Sequence, residues 1–268
     1  MSKPRLILFS DLDGTLLDHD TYDWRPARPA LQRLDALGIP LVLNSSKTGP
    51  EIRALRQQLD NGHPYIVENG AGVVIPAGYF GAGPEEVITT GASRASILET
   101  LGVLKARGYR FTGFADLSPA QLARLTGLDE ESARRAADRI GTEPLQWQGT
   151  AAELERFRRD LSDRGLVLQQ GGRFLHVMGQ FDKADGMVQL MQRYRAQTPH
   201  YRCVAVALGD SPNDQAMLAG ADLAIIIAGE NAGRIQLPSS HPVIRSAEPG
   251  PVGWNRCVLE VLSRYGYS

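Results

Sequence analysis

The chain begins its apolar pattern with Leu6-Ile-Leu-Phe9, a run short enough to be a strand buried on both faces. Residues 29–37 carry helical periodicity up to Gly38, and residues 39–43 repeat the strand signal before Asn44-Ser45-Ser46-Lys47-Thr48. A helix over 50–59 and short strands over 65–68 and 72–75, on either side of Asn69-Gly70, complete the first third. The last third repeats the alternation: helix over 183–194, strand over 203–208 ending in Gly209-Asp210, helix over 213–219, strand over 224–227. Strands that alternate with helices predict a parallel sheet with helices on its faces, and both chain ends are expected in that one sheet.

The middle has a different rhythm. After the Pro/Gly-rich stretch 75–84, the pattern predicts a helix over 93–108, a strand over 109–114, short helices over 119–125 and 129–139, and a strand over 144–148. A helix over 150–164 and a hairpin of 166–169 with 173–178, joined through Gly171-Gly172, follow. The expected architecture is therefore α/β: a doubly wound, Rossmann-like parallel-sheet core, residues 1–82 plus 181–268, with an inserted α+β cap domain, residues 83–180. A length of 268 residues suits two modest domains better than one large one. The helix carrying Glu130, Glu131, Arg134 and Arg135 has acid-to-base pairs at i,i+4 spacing and reads as a solvated face.

Charge narrows the partners. The formal net charge is -1, so no global field favours nucleic acid or an anionic membrane, and an anionic ligand must be held locally. No apolar run approaches the roughly 20 residues of a bilayer span, and the N-terminus offers no signal-peptide core, so a cytoplasmic protein is expected. Cys203 and Cys257 are too few and too isolated for a disulfide framework or zinc site and are read as packing residues. A monomer or weak homodimer is expected.

Three segments fall where the strands of an open parallel sheet should end, which is where such sheets bind ligands. They are Asp11-Leu12-Asp13-Gly14, Asn44-Ser45-Ser46, and Gly209-Asp210-Ser211-Pro212-Asn213-Asp214; Lys183 opens the helix just before the third. Singly each has an ordinary explanation: a surface turn for Asp-x-Asp-Gly, a helix N-cap for Ser45, a surface lysine for Lys183, a first-turn acid for Asp214. Together, and in order, they suit a phosphate and metal site. Hydrolysis of a phosphate monoester needs on the order of 20 kcal/mol of barrier reduction, hence an activated nucleophile, charge neutralisation and positioning. Asp11 can attack phosphorus, and Asp11 with Asp210 suit the few carboxylates that Mg²⁺ takes from protein. Asp13 can move protons at the leaving oxygen and offer its backbone carbonyl to the metal. Ser45, with Ser46, can hydrogen-bond the phosphoryl group and Lys183 can neutralise it, while Asn213 and Asp214 can orient Asp210, Lys183 and substrate. An EF-hand fails because Tyr22 stands where a bidentate Glu belongs, and a P-loop fails because no G-K-[ST] follows Gly14.

FSDLDGTLLD, LVLNSSKT, the Lys183 of FDKADGM, and LGDSPNDQAML resemble the four motifs of the haloacid dehalogenase superfamily. The resemblance implies a doubly wound core with a cap inserted between the second and third motifs. It also implies Asp11 as nucleophile, Asp13 as acid/base, Ser45 and Lys183 as phosphate contacts, and Asp210 with Asp11 and Asp13 around Mg²⁺. Within the superfamily the chain looks most like mannosyl-3-phosphoglycerate phosphatases, on Asn44-Ser-Ser-Lys-Thr48, Glu68-Asn-Gly-Ala71, Leu125-Thr-Gly-Leu128, Gly172-Arg-Phe-Leu-His176 and Gly250-Pro-Val-Gly-Trp254. It departs from them in Arg139-Ile-Gly-Thr-Glu143-Pro144, where that family has an R-E-[FY]-S-E-P-like segment.

A sugar phosphoglycerate carries a phosphate, a carboxylate and hydroxyls. Arg173 is the expected carboxylate contact, with Glu143 or His176 on hydroxyls. The expected activity is Mg²⁺-dependent release of phosphate from mannosyl-3-phosphoglycerate. Glucosyl-3-phosphoglycerate, sucrose phosphate, transfer to a sugar hydroxyl, and a non-catalytic binding module stay open as alternatives.

Overall fold

The computed structural model describes residues 3–171 and 173–267. The first strand, β1 (Arg5–Ser10), has alternate residues facing two separate apolar layers. Leu6 and Leu8 pack with α1 (Arg28–Ala36) and with α2 (Gly49–Leu59), which follows β2 (Leu41–Asn44). Ile7 and Phe9 face the other way. A strand with apolar side chains at every position has to be covered on both sides, and β1 sits at the centre of the larger sheet. The chain continues through β3 (Tyr65–Val67), β4 (Gly72–Ile75) and β5 (Glu86–Thr89), the last two antiparallel at the edge of that sheet.

A second, smaller sheet comes next. Helix α3 (Arg94–Ala106) leads to β6 (Phe111–Gly113), then α4 (Pro119–Thr126), α5 (Glu130–Ala137), β7 (Thr142–Trp147), α6 (Ala151–Ser162), β8 (Val167–Gln170) and β9 (Leu175–Met178). The strands are antiparallel in the order β6-β7-β9-β8. One face is covered by α3 and α6 through Ile97, Leu101, Leu104, Phe157 and Leu161 on Phe111, Leu145, Leu175 and Val177. Thr112, Gln146, His176 and Gln169 alternate with these residues and so occupy the opposite face.

The chain then returns to the larger sheet with α7 (Lys183–Gln197), β10 (Cys203–Gly209), α8 (Gln215–Gly220), β11 (Leu223–Ala228), β12 (Val243–Pro249) and α9 (Gly250–Arg264). The full order is β12-β11-β10-β1-β2-β3-β4-β5, with β1 paired in parallel to both β10 and β2. Helices α7 and α8 cover Ile7 and Phe9 through Met187, Leu190, Tyr194 and Leu218, and α9 covers the other face through Trp254, Val258 and Val261. Both cysteines are free and buried, as packing residues are.

The larger sheet has members that the apolar pattern did not predict. β5 lies in a stretch expected to belong already to the insert; its pairing with β4 means that the chain leaves the larger sheet after Thr89 and not at residue 83. β12 alternates exposed and half-buried residues and contains Arg245 and Glu248, which hides an edge strand from a search for apolar runs. The hairpin of β8 with β9 is present, and Gly172 at its tip lies outside the described residues. No helix among the described residues is long and apolar enough to cross a membrane.

Candidate active site

Parallel pairing of Ser10 with Leu208 brings the ends of β1 and β10 level, so Asp11 and Asp210 leave the sheet side by side. Asp11 stays in register by donating its N–H to the Leu208 carbonyl (2.9 Å), and its own carbonyl accepts from Ser10 Oγ (2.7 Å). Ser10 Oγ accepts in turn from the Trp254 indole (2.9 Å), so α9 braces the turn from beneath. The chain then turns sharply at Gly14, whose φ is +79°. A Cβ there would lie 2.7 Å from Asp210 Oδ2, so glycine is required by both conformation and space.

Lys183 is placed by the end of β2 and by a close approach of Gly70. The Asn44 side-chain amide donates to the Lys183 carbonyl (2.9 Å). Gly70, at φ +105°, lies so near the start of α7 that a Cβ would come within 2.1 Å of the Asp182 carbonyl. Asp182 caps α7 by accepting from the Ala184 N–H (2.7 Å). The Lys183 ammonium is thereby fully buried between Asp11 Oδ1 (2.5 Å) and Asp214 Oδ1 (2.7 Å). Asp214 Oδ2 accepts from the backbone N–H groups of Asp210 (3.1 Å) and Ser211 (3.2 Å), and Thr15 Oγ donates to Asp210 Oδ1 (3.1 Å).

Carboxylate oxygens of Asp11, Asp210 and Asp214 lie within 4.8 Å of one another. Three carboxylates against one ammonium leave an excess of negative charge, and the ionisations respond. Burial, reinforced by Asp214, raises Asp11 well above the carboxylate range, and the same causes push Asp210 up to about 6. Burial alone would depress Lys183, but Asp11 and Asp214 more than reverse this and hold it protonated. A pocket of hard oxygens short of positive charge fits a divalent cation of the Mg²⁺ type. Asp214 is already committed to Lys183 and to backbone N–H groups, which leaves Asp11 and Asp210 as the carboxylates with capacity for a metal.

Asp13 does not join this cluster. Its Oδ2 pairs with Lys47 Nζ (2.9 Å), while Oδ1 is enclosed without a partner. Lys47, which also lies over the Tyr22 ring, is held protonated by Asp13 and Glu51 against the opposing effect of burial. Thr48 rather than Ser45 caps α2, through a reciprocal arrangement with Glu51, so the Ser45 hydroxyl is not used as a helix cap. Ser45 Oγ is buried and accepts only a long bond from the Lys47 N–H (3.3 Å), and Ser46 follows it in the loop. Asn213 accepts from Ser211 Oγ within the turn after β10. Asp11, Ser45, Lys183, Asp210, Asn213 and Asp214 are thus gathered at one end of the parallel sheet, as their order in the sequence suggested.

The residues expected to contact the sugar end are less uniform. Glu143 has no exposed surface: it pairs with Arg94 (3.0 Å), accepts the Ala115 N–H (2.6 Å), and lies on the helix-covered face of the smaller sheet. This corrects the expectation of a hydroxyl contact, because one oxygen ties α3 to β7 through Arg94 and the other holds the Ala115 N–H after β6. Arg173 is exposed and donates to the Thr126 carbonyl at the end of α4, which likewise leaves it engaged away from the acidic cluster. His176 lies half-buried on the face opposite α3 and α6, with Nδ1 enclosed and without a partner among the described residues.

Burial pushes the His176 imidazole down to about 3, from an ordinary value of 6.5, with a smaller contribution from Arg139. A depressed folded-state value means that the unfolded chain takes up the proton first. The associated stability is present above pH 6.5 and is lost as the pH falls from there toward 3. His176 contributes a loss of up to about 2 kcal/mol between pH 7 and pH 5, opposed by the raised Asp11 and Asp210 carboxyls, which stabilise as the pH falls, so the change over this interval should be less favourable in the parent than in His176→Gln by about that amount. Denaturant titrations at the two pH values check this, and parallel profiles for both proteins would count against it.

The smaller sheet is fastened over this end of the larger one. Glu68, which follows β3 at a φ of +52°, accepts from the N–H groups of Ile140 (2.7 Å) and Gly141 (3.2 Å) and from Thr142 Oγ (2.6 Å). Thr48 Oγ donates to the Arg135 carbonyl (2.8 Å), and Arg139 reaches the Ser46 carbonyl (3.5 Å). Lys47, Thr15, Glu68 and the Ser10–Trp254 pair were not singled out from the sequence as part of the site. All of them lie within motifs quoted from the sequence, but most of their partners are remote in the chain, so no role could be assigned to them there.

Known proteins resemble this chain in sequence and in fold. A family model described as haloacid dehalogenase-like hydrolase matches residues 8–80. A curated glucosyl-3-phosphoglycerate/mannosyl-3-phosphoglycerate phosphatase from Methanococcoides burtonii is 35% identical over 96% of this chain and 97% of its own length. A second protein of that name, from Persephonella marina, is 33% identical over the same shares. The chain belongs to this phosphatase family, within the haloacid dehalogenase-like hydrolases. Among solved structures, a phosphatase of that superfamily from Bacteroides thetaiotaomicron covers 100% of this chain and 97% of its own at 20% identity and a TM-score of 0.66. The sucrose-phosphatase from Synechocystis, solved with sucrose and phosphate, covers 98% of both chains at 16% identity and a TM-score of 0.62. At those identities the two structures establish the common fold.

Proposed function

We propose that this chain is a Mg²⁺-dependent phosphatase that releases phosphate from mannosyl-3-phosphoglycerate and glucosyl-3-phosphoglycerate through an aspartyl-phosphate. The observation that carries the reading is the convergence of Asp11, Lys183, Asp210 and Asp214 on one buried pocket, in a chain of this family. Asp11 attacks phosphorus and the ester P–O bond breaks, while Asp13 gives its proton to the leaving glycerate oxygen. In the second step Asp13 takes a proton from water, which attacks the same phosphorus and frees Asp11. Lys47, 2.9 Å from Asp13, steadies the carboxylate whenever it is ionised. Ser45 Oγ and the Lys183 ammonium contact the phosphoryl oxygens and stabilise the charge that gathers on them in transit. Mg²⁺, held by Asp11, Asp210 and the Asp13 carbonyl, would supply the positive charge that lets a carboxylate approach a phosphate dianion.

In this reading residues 90–180 act as the cap, and the face of its sheet opposite α3 and α6 bears on the sugar and glycerate. Phosphate release measured on mannosyl-3-phosphoglycerate, glucosyl-3-phosphoglycerate and sucrose phosphate tests the proposal. Turnover of the first two is expected to fall at least about 100-fold with EDTA and to return with Mg²⁺. Turnover that ignores EDTA, or a preference for sucrose phosphate, would overturn it. Running the reaction in ¹⁸O-water should place the label in the released phosphate; a newly phosphorylated sugar in place of free phosphate would point to transfer onto a sugar hydroxyl instead.

A further inference from the structure

Burying a guanidinium away from any carboxylate is costly, because the charge loses its hydration and gains no counter-charge. Arg139, in the segment between α5 and β7, comes close to that position: Glu143 is near enough to feel its charge and Glu68 accepts from the Thr142 hydroxyl that Arg139 also contacts, but neither carboxylate bonds the guanidinium directly. It is only 9% exposed, and no acidic side chain of the described residues forms an ion pair with it. Its partners are neutral oxygens: Nε donates to the Ala136 carbonyl (3.0 Å), and Nη1 to Thr142 Oγ (2.8 Å) and the Ser46 carbonyl (3.5 Å). Glu68, which accepts from Thr142 Oγ, is occupied by that hydroxyl and two backbone N–H groups. Nη2 has no partner among the described residues, yet it is not one of the atoms enclosed without a partner, so it remains open to an incoming group. The Phe114 ring, 5.9 Å from Cζ, packs alongside the guanidinium.

The location gives this free edge a meaning. The Ser46 carbonyl that Arg139 touches belongs to the loop after β2, one residue beyond the Ser45 hydroxyl. His176, half-buried on the face of the smaller sheet opposite α3 and α6, is near enough to feel the Arg139 charge and has an unpartnered Nδ1. Arg139, with one edge of its guanidinium open, therefore sits in the seam between the smaller sheet and the loop bearing Ser45. Arg173, the other candidate for an anion, is exposed and turned to the Thr126 carbonyl.

We propose that Arg139 reads the substrate's carboxylate: its open Nη edge receives the glycerate carboxylate while the phosphate of the same molecule lies against Ser45 and Lys183. The assignment rests on the phosphatase reading above and adds to it the group that distinguishes a phosphoglycerate ester from other sugar phosphates. A planar fork of N–H donors suits a carboxylate, and partial enclosure strengthens the contact by excluding water. Since Arg139 also touches the Ser46 carbonyl, an occupied carboxylate site would stiffen the loop that carries Ser45.

The test compares glucosyl-3-phosphoglycerate with a matched ester whose carboxylate is reduced to a hydroxymethyl group, using the Mg²⁺-loaded full chain. Arg139→Met is expected to lower kcat/KM on the carboxylate substrate by about 100-fold, mostly through KM, and the loss should be at least about 30-fold greater than on the reduced ester. Arg139→Lys, which keeps the charge, should recover about tenfold of it. Equal losses on both esters would overturn the assignment and leave Arg139 a structural residue, and so would no loss on either. A wild-type protein that turns over neither ester would sink the phosphatase reading as well. If Arg139→Met does not fold, the wild type still decides: inhibition by glucosylglycerate should be at least about tenfold tighter than by glucosylglycerol, and equal inhibition would overturn the proposal.

Discussion

Replacing Asp11 by Asn is expected to lower phosphate release by about 10⁴-fold or more while the protein stays folded. The amide keeps the shape of the side chain but is a far weaker nucleophile toward phosphorus. The pocket around it holds more carboxylate than ammonium, and Asp11 is among the groups that burial and Asp214 make hard to ionise. Removing its charge relieves that strain, while Lys183 keeps Asp214 as a partner at 2.7 Å. The metal-free variant should therefore unfold at the same temperature as the parent or a higher one. Single-turnover phosphate release together with thermal unfolding separates these effects. An Asp11→Asn protein with more than about one-hundredth of the parent rate would remove Asp11 as the nucleophile.

Lys183→Met should be severe in both respects. The side chain is fully buried, and its loss leaves Asp11 and Asp214 facing each other without a cation. Breaking a buried pair by deleting one partner typically costs about 3–5 kcal/mol, and the phosphoryl group loses its ammonium as well. Activity is expected to fall by about 10³-fold or more, with a large drop in unfolding temperature that added Mg²⁺ partly restores. A variant as stable as the parent without metal would mean that the Lys183 ammonium does not hold Asp11 and Asp214 together in the folded protein.

Which features were legible in the sequence follows from where their causes lie. β1 and β10 were visible because strands buried on both faces are continuous apolar runs, and the groups after them are forced to the sheet's end by parallel pairing alone. Lys183 was visible because a capped helix start follows Asp182. β12 was not, because an edge strand with Arg245 and Glu248 carries no apolar signal. β5 was hidden by the Gly- and Pro-rich stretch before it and by its own exposed Glu86 and Val87. Glu143, Arg173 and Arg139 illustrate a different limit. All three are polar residues in the insert, and only three-dimensional neighbours separate a packed ion pair, an exposed charge and a buried guanidinium with an open edge.

Local pattern determined most of the strands and helices, β5 and β12 excepted, and set a pair of carboxylates at the end of β1, since periodicity and residue type act over a few positions. Tertiary structure alone decided that Asp13 faces Lys47 while Asp11 faces Lys183, although the two acids are two residues apart. It likewise decided which face of the smaller sheet α3 and α6 cover. The physical reason is that electrostatic environment and burial are set by groups brought together from across the chain: Lys183 is 172 positions from Asp11, and Thr15 is 195 from Asp210.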